Sequence, residues 1–165
     1  MQTTGVEANY RDGRARARAR ARNYLAYFAD TLFMEDFAHE RLDVYRAATE
    51  FLVLADDVSH VLPRGRAYLA DQLRRAATSI PLNIAEGAGE FSSDDKARFY
   101  RIARRSATEC AAILDGCRLL RLVDQDPLVR GRVLLLRIVA MLTAMVLRLK
   151  ASGSGSDAGS GSGYP

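Results

Sequence analysis

Apolar positions from Ala38 onward recur at steps of three and four, the period of a helix lying on a core. Ala38, Leu42, Tyr45, Ala48, Leu52 and Ala55 form one stripe, and Val44, Phe51, Leu54 and Val58 a second, before Pro63 and Gly65 end the segment. A second helix is expected over residues 67–86, with Leu69, Leu73, Ala76, Ile80 and Ile84 inward and Gly87 as C-cap, followed by a turn over residues 87–91. The third starts at Ser92 or Ser93 and turns Phe99, Ile102, Ala103, Ser106, Cys110, Ile113, Cys117 and Leu120 inward. Asp94 and Asp95 complement the positive N-terminal end of its dipole, and Arg118 and Arg121 the negative end. Asp126 followed by Pro127 reads as the N-cap and first residue of a fourth helix. Four helices of roughly 20 to 28 residues joined by short loops predict an all-α fold, an antiparallel up-down-up-down four-helix bundle over residues 34–150.

The fourth helix is apolar nearly all round over residues 133–149, interrupted only by Arg137, Thr143 and Arg148. Its longest run without a charge, residues 138–147, is about half of the ~20 residues a membrane span needs. The spacing therefore predicts one side packed in the bundle and another against a second copy of the chain, with no membrane contact.

Composition adds limits. The chain has 165 residues, 48% hydrophobic and 27% charged, with two Cys, which fits one globular domain and excludes disordered, collagen-like and disulfide-stapled secreted classes. No secretory signal is evident, and a cytoplasmic setting is expected. The net charge is +4, and 22 of the 24 cations are Arg. Residues 1–33 carry six Arg against three acids, residues 34–63 two Arg against seven acids, and residues 64–150 sixteen cations against nine acids. An electropositive region follows, suited to a polyanion or to an acidic face on a neighbour. Arg14 to Arg22 alternate strictly with Ala and present no apolar face, so residues 1–33 read as a basic, disordered extension. Residues 151–165 are rich in Gly and Ser and read as a flexible tail.

Candidate chemistry is sparse. Cys110 and Cys117 lie seven residues apart on one helix face, about 10.5 Å along the axis, too far for a disulfide, and are expected as core thiols. Glu35, His39 and Asp43 share a spacing of four that would give a metal edge, but a solvated acidic face explains them better, and neither metal nor cofactor is expected. Gly87-Ala88-Gly89 follows a helix rather than a strand and reads as a turn, not a dinucleotide loop. Two histidines and scattered surface acids assemble no catalytic group.

Arginines are the strongest remaining signal. Arg98, Arg101 and Arg105 fall within about 60° of one another on the third helix, with Arg104 beside them and Arg74 and Arg75 on the second. These six are the candidate nucleic-acid contacts. Helix pairs of Asp94 with Arg98, Arg105 with Glu109 and Asp71 with Arg74 or Arg75 would neutralise several, leaving Arg101 and Arg104 free. Pro81 sits inside the second helix and removes the bond to the Ala77 carbonyl, at about 3 kcal/mol in an ordinary interior. Thr78 and Ser79 are placed to satisfy freed carbonyls, and a kink there would turn Asn83 and Glu86 toward a neighbouring helix, as a buried polar contact or, less plainly, a ligand site.

The stretch Ser79-Ile80-Pro81-Leu82-Asn83-Ile84-Ala85-Glu86-Gly87 resembles the signature of a bacterial family named for proteins encoded in 23S rRNA intervening sequences. The similarity continues through residues 95–104 and Ser106 to Cys110, and loosely over residues 34–150. It implies a four-helix bundle, commonly a homopentameric barrel, with no known catalytic residues, in which Ser79, Pro81, Asn83, Glu86 and Gly87 form the structural motif. A related branch, the accessory variability determinants of diversity-generating retroelements, works with a reverse transcriptase and binds nucleic acid through a basic surface. Arg105 stands where that pattern has a small residue such as Gly.

Together these readings predict a non-enzymatic homo-oligomer, pentameric by resemblance, acting as a scaffold or accessory protein for RNA or a ribonucleoprotein. The alternatives are a module that binds only protein, and, last, an enzyme or small-molecule binder near Asn83 and Glu86.

Overall fold

The structure is a computed structural model that describes residues 37–153. The Arg-Ala arm, the expected boundary at Met34 and the tail beyond residue 153 lie outside the described residues. The described residues form four α-helices, α1 (Asp43–Val61), α2 (Ala67–Gly89), α3 (Ser93–Leu119) and α4 (Gln125–Gly153), with a 3-10 turn at Arg64–Arg66. The described residues contain no strand, so the fold is all-α. Each helix packs on the next in sequence, and α4 returns to pack on α1. One core results, in which Phe51, Leu73, Ile80, Ile84, Leu135, Ile138 and Leu142 are the largest fully buried side chains.

Local chemistry accounts for most of the ends. Ser92 caps α3 by accepting from the Asp95 backbone N–H at 3.4 Å, with Asp94 and Asp95 in the first turn. At the other end, the Arg121 N–H donates to the Arg118 carbonyl at 3.1 Å and the Leu122 N–H to the Cys117 carbonyl at 2.9 Å. This is a Schellman closure, and it requires a left-handed residue after the cap. Arg121 occupies that place with φ 53°, where glycine is the usual residue.

Several boundaries differ from the sequence pattern. Residues 38–41 form turns rather than helix, so Ala38 is exposed and α1 starts at Asp43. In α1 the second stripe, Val44, Phe51, Leu54 and Val58, is buried, while Leu42, Tyr45 and Leu52 are half-buried. The fourth helix opens at Gln125, which places Asp126 and Pro127 inside the first turn and leaves Asp126 to pair with Arg130 at 3.7 Å. That helix also continues past Lys150 to Gly153.

Gly87 is the most informative difference. It is not a C-cap: α2 runs on to Gly89, and no glycine among the described residues has positive φ. A Cβ on Gly87 would lie 2.7 Å from Tyr100 Cε1 and 3.2 Å from Phe99 Cβ, so the absent side chain is what lets α3 approach. Tyr100 consequently fills the core position expected for Phe99. The inward face of α3 is Ala97, Tyr100, Ala103, Ser106, Ala107, Cys110, Leu114 and Cys117, with Ile102, Ile113 and Phe99 half-buried and Leu120 exposed.

Gly131 makes a second close approach, where a Cβ would lie 2.8 Å from Leu114 Cδ1 and 3.1 Å from Leu54 Cδ2. These are methyl ends that can swing aside, whereas the Tyr100 ring is rigid and the Phe99 Cβ is tied to its backbone. Gly87→Ala should therefore destabilise by about 1–3 kcal/mol, overpacking outweighing the helix propensity of Ala, while Gly131→Ala stays near neutral. Arg121→Gly should stabilise by about 0.5–1 kcal/mol, the left-handed strain relieved exceeding the chain entropy that Gly adds. Urea unfolding of the three variants measures all of these, and equal losses at the two glycines would refute the packing argument.

Candidate nucleic-acid interface

The arginines of α3 divide into two groups. Arg98, Arg101 and Arg105 are exposed, and Arg98 holds its guanidinium 5.4 Å from the centroid of the Phe99 ring. The helix pairs expected for them do not form: among the described residues neither Asp94 with Arg98 nor Glu109 with Arg105 makes an ion pair, and Arg101 has none. Ion pairs between exposed side chains are worth little, so little is lost where these groups stay apart. Arg104 is half-buried and donates to Thr143 Oγ1 on α4 at 3.4 Å. It ties two helices together, so among the candidate arginines of this helix those without a polar partner are Arg98, Arg101 and Arg105 rather than Arg101 and Arg104. No sequence spacing links residues 104 and 143, and the lone Thr in the apolar run of α4 was the only available signal.

On α2 the two arginines also part. Arg74 lies between Asp56 of α1 at 3.4 Å and Asp71 of its own helix at 3.7 Å. Those carboxylates occupy it. Arg75 is exposed and makes no ion pair among the described residues. Of the six candidate contacts, Arg75, Arg98, Arg101 and Arg105 thus remain available to an anion, while Arg74 and Arg104 are engaged within the fold.

The stretch around Pro81 serves packing. Pro81 is buried and α2 continues through it. Asn83 Nδ2 donates to the Ser79 carbonyl at 2.8 Å and to Ser79 Oγ at 3.1 Å, and Ser106 Oγ of α3 donates to Ser79 Oγ at 2.9 Å. The result is a short polar chain that joins α2 to α3 about two turns along α2 from the close approach at Gly87. Thr78 and Glu86 are exposed, so neither takes the part expected of it at a kink. No buried side-chain N or O among the described residues lacks a partner.

Elsewhere the chemistry is quiet. His39 lies in a turn ahead of α1 with its ring 4.5 Å from that of Tyr45, and Glu35 lies outside the described residues, so the suggested metal edge has no helix to stand on. Among the described residues no three His, Cys, Asp or Glu side chains gather to hold a metal ion, and no helix is long and apolar enough to cross a membrane. Cys110 and Cys117 are buried free thiols. Desolvation, helped by the nearby Glu109 carboxylate, pushes the Cys110 thiol up to about 12, and burial raises Cys117 as well.

A four-helix, all-α fold with an arginine face is the class that the described residues define. The family described as 23S rRNA-intervening sequence protein matches residues 40–144, more than half of the chain, and the chain belongs to that family. Among curated proteins none matches it.

The raised thiols set a pH dependence. Above about pH 9 the unfolded chain releases thiol protons that the folded chain keeps, so the unfolded state binds fewer protons and stability falls as pH rises. The loss should begin near pH 9, approach roughly 1 kcal/mol per pH unit for each thiol, and persist toward pH 12 for Cys110. Urea midpoints between pH 7 and 11 check the slope. Cys110→Ala should make it shallower, and an unchanged slope would show that other groups set it.

Proposed function

We propose that this chain is a non-enzymatic, cytoplasmic homo-oligomer, pentameric as the resemblance implies, that acts as a scaffold or accessory protein and carries RNA or a ribonucleoprotein on its α3 face. The observation that carries the reading is the exposed row Arg98, Arg101 and Arg105, free of carboxylate partners among the described residues. At 1.5 Å rise per residue the three stand about 4.5 and 6 Å apart along the axis, close enough to meet neighbouring phosphates of one strand. Arginine suits such contacts because its planar fork binds phosphate oxygens two at a time. Membership in a family named for 23S rRNA intervening sequences is compatible with an RNA partner.

The protomer in this reading is an antiparallel up-down-up-down bundle. Alternating direction is supported by cross-helix contacts that run in opposite senses along each pair: Asp56 with Arg74 and Ser59 with Ala70, then Ser79 with Ser106 and Gly87 with Tyr100. Arg104 with Thr143 and Asp115 with Arg132 do the same for α3 and α4.

Self-association is supported by α4. Val129, Val133, Leu136 and Leu147 are 52–61% exposed, and with exposed Ala140 and Ala144 they fall within about 80° of one another along the helix. The opposite side buries Leu135, Ile138, Leu142 and Val146. A continuous apolar stripe of this length on a solvent face marks a protein contact. The same stripe favours the second reading, a module that binds protein alone.

Salt dependence separates the two. With the full chain and a structured RNA, log affinity should fall steeply with log salt, because phosphate contacts release counterions. Replacing Arg98, Arg101 and Arg105 by Glu should weaken binding at least tenfold and flatten that slope, with helix content and oligomer mass unchanged. Undiminished binding by this variant would exclude the α3 face and leave the protein-only reading.

A further inference from the structure

One face of α1 carries exposed acids and exposed apolar side chains, and a groove elsewhere on the fold complements both; Arg46, on the same side, is paired with Asp43. On α1, Glu50, Val53, Asp57 and Val61 lie within about 80° of one another. Val53 and Val61 are 65% and 64% exposed. Glu50 and Asp57 are exposed and make no ion pair among the described residues. This face alternates bare carboxylate with bare apolar surface along three turns.

Between α3 and α4 lies a groove with the complementary character. Its volume is about 380 Å³, and its floor is apolar, with Leu114, Leu128 and Val129 among its lining. On its rim Arg118 and Arg132 share one carboxylate, Asp115, at 3.8 and 3.5 Å. Two guanidiniums on one carboxylate leave a unit of positive charge unanswered. Val129 also opens the exposed apolar stripe of α4, so the groove continues into that surface.

We propose that the α1 face of one copy docks into the α3–α4 groove of the next. This rests on the oligomer reading above and specifies its geometry. Glu50 or Asp57 of the incoming helix supplies the carboxylate that Arg118 and Arg132 lack, and Val53 and Val61 cover the apolar floor and the start of the α4 stripe. The two faces belong to different parts of one protomer, so the contact is head-to-tail and each copy both gives and receives. Such contacts close into a ring when the rotation permits, whereas a two-fold contact through α4 alone would stop at a dimer. The acidic face is consumed in the contact. Arg105 lies ten residues, about 15 Å, along α3 from Asp115, so the arginine row stays outside it.

Charge reversal tests the proposal on the full chain, with mass read by light scattering at micromolar concentration and folding by circular dichroism. Three variants serve: Glu50→Lys with Asp57→Lys, Arg118→Glu with Arg132→Glu, and all four together. Wild type should assemble, each pair should weaken assembly at least a hundredfold, and the fourfold variant should regain the wild-type mass because both faces have changed sign. Val53→Glu should block assembly through the apolar part of the contact and stands in if a charge-reversed pair fails to fold. Wild-type mass in the Glu50 and Asp57 pair, or in Val53→Glu, would overturn the proposal, as would a folded fourfold variant that stays monomeric. Either result leaves self-association through another face intact. A monomeric wild type would instead remove the oligomer reading itself, and this contact with it.

Discussion

The contact of Gly87 with the ring of Tyr100 sets the spacing of α2 and α3, and much else depends on that spacing. With the two backbones drawn together, Ser79 and Ser106 reach hydrogen-bond distance, and Asn83 can finish a polar chain inside a mostly apolar contact. Gly131 does the same for α4 against Leu54 and Leu114. The core between these points is lined by alanines, among them Ala47, Ala48, Ala55, Ala76, Ala77, Ala103 and Ala107, all buried. Small residues on facing helices allow dense packing over long contacts, and Phe51, Ile80 and Ile138 fill the remaining volume.

Close packing has an electrostatic consequence. Helices held this near to one another bring a few charged groups into cross-helix pairs, as with Arg74 and Asp56 or Arg132 and Asp115. On α3, by contrast, Arg98, Arg101 and Arg105 face outward and make no ion pair among the described residues, although Asp94 and Glu109 stand on the same helix. The half-buried Arg74 and Arg104 are both held by a neighbouring helix, where a fixed geometry lowers the entropy lost in pairing, while a fully solvated pair gains almost nothing.

The apolar surplus of α4 follows from the same economy of space. Four helices around one core can cover only one side of each, and α4 is apolar on two. Leu135, Ile138, Leu142 and Val146 exhaust the inner side, so the stripe from Val129 to Leu147 stays on the surface of the isolated protomer. Charge on the neighbouring grooves gives that surface a polarity, acid on α1 and base between α3 and α4, which a single protomer does not resolve within itself.

Much of the architecture was legible in the sequence. The helical period, the Ser92 cap and the buried thiols at Cys110 and Cys117 are local or periodic features, and each appears as the chain alone implied. The surplus on α4 was legible too, since a helix apolar all round cannot hide both sides. What needed tertiary structure were matters of facing: Gly87 as a packing surface instead of a cap, Tyr100 in place of Phe99 in the core, and Arg104 drawn to Thr143. The inward face of α3 keeps Ala103, Ser106, Cys110 and Cys117 but is turned by roughly 60° from the expected one, less than the ~100° width of an apolar stripe, so periodicity leaves it open. Only contact with the neighbouring helices selects the angle, and with it which arginines are held and which remain free.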